Sequence, residues 1–294
     1  MTWEVAVAGT MHRDDITTPH GRVMSFGGSA VYFALAASRY APVHLNGITG
    51  ADAATAYRQL FAGLPVDLSG MVVGEGPTFV WHAVHDFTAW VTSSESAEIG
   101  CDDEWTATLS AGSRRADVLF LASLDPEKQR TALEQSSARL IGADSMTIFM
   151  ARSPVTVRDV ALRSDLLFLN SAELAALTGK PDWRRAASSL LGQGRLRAVV
   201  VTRGPDGAAC VTDAGIVEEP AYPPALVIDP TGAGDALAGG FLGVCARAER
   251  DDDAVFTDAL KAGLRCAADA IASFGVDALR AGTSADGAAS PGDV

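Results

Sequence analysis

Two glycines and two acids fall within the seven residues Asp229-Pro230-Thr231-Gly232-Ala233-Gly234-Asp235, at the mouth of an apolar helical pattern that continues as Ala236-Leu237-Ala238-Gly239-Gly240-Phe241-Leu242. Small residues at a helix start leave backbone N–H groups unobstructed, so a phosphate can approach closely and feel the helix dipole. The amides of Gly232, Ala233 and Gly234 are therefore candidates for an anion hole. Asp235, one residue on, is placed to take a proton from a hydroxyl attacking a phosphoryl group held there. A strand-to-helix turn in which Asp235 only complements the dipole would explain a lone G-x-G-D as well.

Other segments place polar groups at the ends of elements. Asn170-Ser171-Ala172-Glu173 follows an apolar run and has close to the spacing of a capping box. Thr202-Arg203-Gly204-Pro205-Asp206-Gly207 ends one strand pattern and turns into another, as a β-hairpin would. Gly27-Gly28 opens a helical pattern that includes Tyr32. Asp14 and its neighbour Asp15 carry carboxylates, which accept paired hydrogen bonds from adjacent hydroxyls or stand as solvated loop acids.

The elements that would position these groups alternate. Short apolar runs over 5–8, 118–122, 147–150, 166–169 and 198–202 predict buried strands, and apolar spacing over 29–39, 126–141, 183–191, 233–247 and 254–273 predicts helices. Alternating strands and helices predict an α/β fold, a three-layer α/β/α sandwich. The alternation breaks at 65–95, where Met71-Val72-Val73, the run from Thr78 to Val84 and Phe87-Thr88-Ala89-Trp90-Val91 follow one another, the last two separated by His85-Asp86 as by a tight hairpin. These are expected to build a small antiparallel β-sheet lid together with 11–24, although an ordinary hairpin at the edge of the main sheet would give the same pattern. The chain then reads as a single domain, with 282–294 a loose tail. The aromatic and β-branched groups of the lid exceed what a two-stranded flap buries, so a homodimer through the lid is expected.

Composition limits the partners. Against 36 acids the chain has 23 Lys and Arg and a formal charge of −13, which argues against a nucleic-acid partner. No apolar run approaches a membrane span. The four cysteines, Cys101, Cys210, Cys245 and Cys266, are scattered without a C-x-x-C pair, so neither a zinc knuckle nor a disulfide framework is suggested. Met1-Thr2-Trp3-Glu4 runs into Val5-Ala6-Val7-Ala8 without the pattern of a signal peptide, and the expected location is cytoplasmic.

The whole stretch D-P-T-G-A-G-D-x-x-x-G-G-F resembles the second signature of the ribokinase-like (PfkB) family of carbohydrate and nucleoside kinases. The resemblance covers nearly the whole chain, from Gly9 through Gly50-Ala51-Asp52 to Ala270-Ile271-Ala272-Ser273-Phe274-Gly275, and includes a G-G-S-A-x-Y-F variant of the first signature at Gly27 to Phe33. It implies an ATP-dependent kinase with Asp235 as general base and Gly232, Ala233 and Gly234 as anion hole. Asn170, Thr202, Gly204 and Gly207 would bind ATP, and Glu173 would organise Mg2+ through water. Asp14, or Asp15 beside it, would hold substrate hydroxyls, with Gly27, Gly28 and Tyr32 also at the substrate. Asp229 and Thr231 would help bind a monovalent cation such as K+, its other ligands coming from the region of Ala272 to Gly275. The acceptor would be a small sugar or, alternatively, a nucleoside of the adenosine type. A catalytically silent binding homologue is the reading of another kind, disfavoured because base, anion hole and metal organiser occur together and in order. Two departures stand out: Tyr32 occupies a position where ribokinases usually have Asn, and the family's D-x-N-x-R stretch has its counterpart in Ile148-Phe149-Met150-Ala151-Arg152, keeping only the arginine.

Overall fold

A computed structural model of the chain describes residues 2–87, 91–223 and 226–285. In chain order the elements are β1 (Val5–Ala8), β2 (His12–Thr18), β3 (Gly21–Gly27), α1 (Ser29–Ala37), β4 (Val43–Gly50), α2 (Ala51–Leu60), β5 (Val66–Gly74), β6 (Val80–Asp86) and β7 (Val91–Glu98). There follow β8 (Val118–Leu121), α3 (Pro126–Gln135), β9 (Leu140–Asp144), α4 (Thr147–Arg152), α5 (Pro154–Arg163), β10 (Leu166–Asn170), α6 (Ser171–Thr178) and α7 (Trp183–Ser188). The chain ends with β11 (Ala198–Thr202), β12 (Ala208–Thr212), β13 (Gly215–Glu219), α8 (Ala233–Ala248), α9 (Asp253–Ala270) and α10 (Asp277–Ala285).

Nine strands form one sheet in the order β13-β12-β11-β10-β9-β8-β1-β4-β5, parallel from β11 to β5 and closed at the other edge by the antiparallel β12 and β13. Its central strands are apolar on both faces, as a sheet covered on two sides requires. Alternation then divides the core. Val5, Val7, Phe120, Phe168 and Val200 pack with α1, α8 and α9, whereas Ala6, Ala8, Leu119, Leu121, Val199 and Val201 pack on the side of α3, α5 and α7. Phe120 stacks on Phe33 at 4.4 Å between ring centroids and leads through Phe168 to Phe241, so α1 and α8 are both anchored to the middle of the sheet. This is the expected three-layer α/β/α sandwich. Among the described residues no helix is long and apolar enough to cross a membrane.

A separate four-stranded sheet, β3-β2-β6-β7, pairs β2 with β6 in parallel and the outer strands antiparallel. It is built from residues 12–27 and 80–98, not 11–24 and 65–95. Met71, Val72 and Val73 instead lie in β5, paired with Gly47, Ile48 and Thr49 at the edge of the main sheet. The count of apolar groups that suggested a lid-to-lid dimer therefore included residues of another sheet. His85 and Asp86 are not a turn but the last two residues of β6, paired with Thr92 and Val91; the turn starts at Phe87. The expected lid residue Trp90 lies outside the described residues.

Two more expectations fail together. The helix read over 126–141 stops at Gln135, where Ser136 turns extended, and 140–144 supplies the strand between β8 and β10. With that place in the sheet taken, Thr147 to Met150 fall beyond the strand's end and begin α4 rather than a strand. The first residues of the expected tail, 282–285, are helical in α10, and the rest lie outside the described residues.

Candidate active site

The turn before α8 is held from several sides. The Thr231 amide donates to Asp229 Oδ1 at 3.0 Å, and Gly232 then takes φ 74°, the left-handed region that glycine enters without steric cost. No side chain caps α8. A Cβ on Gly232 would lie 2.3 Å from Cγ of Tyr32, so the buried phenol ring forms the wall against which the turn is set. A Cβ on Gly234 would meet nothing within 4 Å.

Asp235 sits in the first turn of α8 and is partly exposed, yet its Oδ1 is enclosed and has no protein partner. Burial pushes its carboxyl up to about 7, with His12 opposing and Asp14 and Glu173 adding to the rise. Asp144, at the end of β9, lies near Asp235 and also encloses an unpartnered Oδ1; its carboxyl is raised by burial first and by Asp235 and Glu173 next. Sequence reasoning missed Asp144. The signal was present in Leu140-Ile141-Gly142-Ala143-Asp144, an apolar run ending on an acid, but its first two residues fall within the helix read over 126–141. Ile148 to Arg152, read as the counterpart of D-x-N-x-R, lie in α4, which Arg152 ends.

The small sheet brings a second set of groups. Asp14 is fully buried, its Oδ1 2.8 Å from His12 Nε2 but without a well-directed hydrogen bond to either oxygen. A Cβ on Gly27 would lie 1.7 Å from Asp14 Oδ2, so the first glycine of the pair makes room for this carboxylate. Gly28, at φ 106°, would carry a Cβ 2.3 Å from the Thr10 carbonyl. Asp15 points to the opposite face. There Arg22 binds it through Nε at 2.8 Å and Nη2 at 2.5 Å, His82 Nδ1 lies 2.8 Å away, and the Arg22 bonds above all hold its carboxyl down at about 2. Asp14 is thus the acid on the side of α8. Tyr32, its hydroxyl enclosed without a protein partner, has a phenol raised well above its ordinary value by burial and then by Asp14, Asp229 and Asp235, which surround it. His85 reaches the turn from β6, with Nε2 2.9 Å from Thr231 Oγ1 and 3.6 Å from Asp229 Oδ1. The misplaced hairpin turn had concealed it.

On the other side of α8, Asn170 Oδ1 accepts from the amides of Ala172 and Glu173 at 2.9 Å, and Glu173 Oε2 accepts from the Asn170 amide at 2.8 Å, a complete capping box. Burial nevertheless pushes Glu173 up to about 7. Thr202 is the register partner of Asn170 across β10 and β11, and Gly204 and Gly207, at φ 56° and 82°, form the turn that follows. Asp229 is buried with Oδ2 unpartnered and its carboxyl raised by burial, and the Ile228 amide bonds the Ile271 carbonyl at 2.8 Å, which brings Asp229 beside the chain leading to Gly275. The structure thus brings Asp14, Tyr32, Asp229 and Thr231 together around Asp235. Among the described residues no three acidic, His or Cys groups are placed to hold a metal unaided. Asp235 and Glu173 add to the rise of the Asp144 carboxyl, and Glu173 to that of Asp235, so the three acids lie within electrostatic reach of one another.

Comparison with known proteins gives this arrangement a context. The chain is 27% identical over 253 residues to cytidine kinase of Thermococcus kodakarensis, covering 81% of this chain and 87% of the relative. Its fold matches adenosine kinase from Sinorhizobium meliloti with a TM-score of 0.80 at 20% identity, covering 98% of this chain and 100% of that one. It matches a Burkholderia thailandensis nucleoside kinase in complex with inosine with a TM-score of 0.74 at 20% identity and 96% of each chain. Residues 4–280 match the pfkB family of carbohydrate kinases, and the chain belongs to that family, a phosphotransferase whose acceptor is the hydroxyl of a sugar or sugar-bearing molecule.

Proposed function

We propose that the phosphoryl donor is ATP and that Asp235 is the general base, removing the proton of the acceptor hydroxyl as its oxygen bonds to the γ-phosphorus and the bond to ADP breaks. The observation that carries this reading is an enclosed Asp235 Oδ1 at the open start of α8, with a carboxyl pushed up to about 7. A base poised near the working pH combines ionisation with proton affinity. The amides of Gly232, Ala233 and Gly234 stabilise charge developing on the transferred group, and the α8 dipole acts in the same sense. Asp14 accepts hydrogen bonds from neighbouring hydroxyls of the acceptor, supported by Gly27 and Gly28, while Tyr32 backs the turn. Asn170, Thr202, Gly204 and Gly207 face the nucleotide.

Mg2+, when bound through water near Glu173, neutralises phosphate charge. Asp229 Oδ2, enclosed and unpartnered, fits one ligand of a monovalent cation such as K+, with the Thr231 carbonyl as another. Among acceptors, the named relatives favour the ribose hydroxyl of a nucleoside over a free sugar. A homodimer through the small sheet, a cytoplasmic location and the absence of a nucleic-acid partner complete the reading; Val23 and Met24, 37% and 51% exposed on β3, support the first of these.

The test is Asp235→Asn in a coupled ADP-release assay across a panel of nucleosides and sugars, with melting curves for both proteins. Asn is nearly isosteric and suits a first helical turn, so the fold should survive while turnover falls by ~10² to 10⁴. Turnover within a factor of a few of the parent refutes the assignment.

A further inference from the structure

β6 pairs with β2 so that Asp14 lies beside Trp81 and Ile16 beside Ala83. Side chains alternate along a strand, so Trp81, Ala83 and His85 share the face that carries Asp14. His85 is the last of them, 5% exposed, and it leaves the small sheet to meet the α8 turn across 146 residues of sequence. A buried imidazole costs more than an apolar group of similar size unless its nitrogens are paired, so its placement calls for a bond to make. The bond is to Thr231 Oγ1 at 2.9 Å, with Asp229 Oδ1 at 3.6 Å beyond it.

We propose that His85 is a positioning residue which ties the small sheet to the anion-hole turn, so that seating the acceptor on the sheet also sets the amides from Gly232 to Gly234. Thr231 is the hub of this arrangement. Its amide is fixed by Asp229 Oδ1 at 3.0 Å and its hydroxyl by His85 Nε2, and the next residue, Gly232, has φ 74° against the ring of Tyr32. A rotation at Thr231 therefore turns the first amides of α8 as a unit. The strand that carries His85 also borders Asp14 through the Asp14–Trp81 pair, so acceptor contacts and amide orientation share one rigid element. This inference rests on the kinase reading above, and it assigns His85 no contact with the transferred group.

The experiment compares His85→Ala, His85→Gln, Thr231→Val, Thr231→Ser and the double variant His85→Ala/Thr231→Val with the parent. Each is measured for kcat, KM for ATP, KM for the acceptor and melting temperature. Gln places its amide nitrogen as many bonds from Cβ as the Nε2 of His, and Ser keeps the hydroxyl. Misaligning donors costs less than deleting one, so His85→Ala and Thr231→Val are each expected to lower kcat ~10- to 100-fold while KM for ATP stays within about threefold. The Gln and Ser variants should return to within about fivefold of the parent, and the double variant should be no worse than either single. A residue that only fills space predicts instead a lower melting temperature, no rescue by Gln and losses that multiply in the double variant; that result overturns the proposal. If His85→Ala does not fold, the Thr231 pair decides alone, because equal activity in Val and Ser variants overturns it. Asp235→Asn serves as control. A parent without ADP release on every acceptor overturns the kinase reading and this inference with it, whereas an active parent, an inactive Asp235→Asn and a parental His85→Ala overturn this inference only.

Discussion

Substitution of the two glycines of the α8 turn by alanine should separate stability from activity. At Gly232 the backbone has φ 74°, and a left-handed conformation costs an L residue about 1–2 kcal/mol. The new Cβ would also lie 2.3 Å from Tyr32 Cγ. That ring is 1% exposed and cannot swing into solvent, so the overpacking adds about 1–3 kcal/mol. The sum, roughly 2–5 kcal/mol, corresponds to a melting temperature lowered by roughly 3–8 °C for a chain of this length. Gly234 has no positive φ, and its added Cβ meets no protein atom within 4 Å. In a helical first turn the exchange of Gly for Ala stabilises by about 0.5–1 kcal/mol, so Gly234→Ala should melt at or slightly above the parent.

Activity should follow a different order. If the proposed anion hole is correct, the Cβ at 234 would stand in the path of a phosphate to the first amides, and Gly234→Ala is expected to lower kcat/KM by ~10-fold or more despite its intact fold. Thermal melts by circular dichroism and the ADP-release assay read the two quantities on the same preparations. A Gly232→Ala protein with parental melting temperature would refute the packing argument. Full activity in Gly234→Ala would refute the anion hole while leaving that argument standing.

Four further outcomes follow from the same geometry. In the folded chain Asp235 and Glu173 hold protons up to about 7, whereas unfolded carboxylates release them near their ordinary values of 3.8 and 4.5; the folded state binds more protons in that window, so stability falls as pH rises through it. Asp235→Asn should flatten that slope and melt at or above the parent at pH 8, and parallel melting curves from pH 4 to 8 would contradict the assigned shift. Glu173→Gln keeps a carbonyl to accept from the Asn170 amide, so it should melt as the parent does but need more Mg2+ for half-maximal rate, an unchanged Mg2+ titration showing that Glu173 is only a cap. Asp14→Asn should raise KM for the acceptor by ~10-fold or more with KM for ATP nearly unchanged, and equal effects on both would remove Asp14 from the acceptor site. Light scattering at micromolar concentration should give a dimeric mass, and a monomeric mass with and without acceptor ends the proposal of a dimer through the small sheet.

What could be read from the sequence depended on how local the defining interactions are. The α8 turn, the Gly27-Gly28 pair and the capping box at Asn170 and Glu173 each lie within a few residues, because short-range sterics and amide geometry dictate their composition. The central strands were legible for a related reason: burial on both faces demands continuous apolar runs. At 65–95 period-2 patterning alone could not say which sheet a strand would join, and β5 went to the main sheet because β4 offered a free parallel edge. The polar pair His85-Asp86 looked like punctuation, although Trp81, Ala83 and His85 keep the alternation to the end of β6.

The same distinction bears on what the signature is worth. The motif from Asp229 to Asp235 specifies small residues, an acid in the first turn and an open helix start, all of them local properties. The turn is also met by groups the motif does not contain: Tyr32 from α1 against Gly232, Asp144 from β9 near Asp235, and His85 from the small sheet on Thr231, and on the proposal above these help to aim its amides. A chain that kept the seven residues and lost these supports would still match the signature while its donors, free to rotate by the angstrom that costs catalysis about a hundredfold, no longer converged on one point. Substitutions at Tyr32 and His85 should consequently act on turnover through orientation, which the motif alone would never lead one to expect.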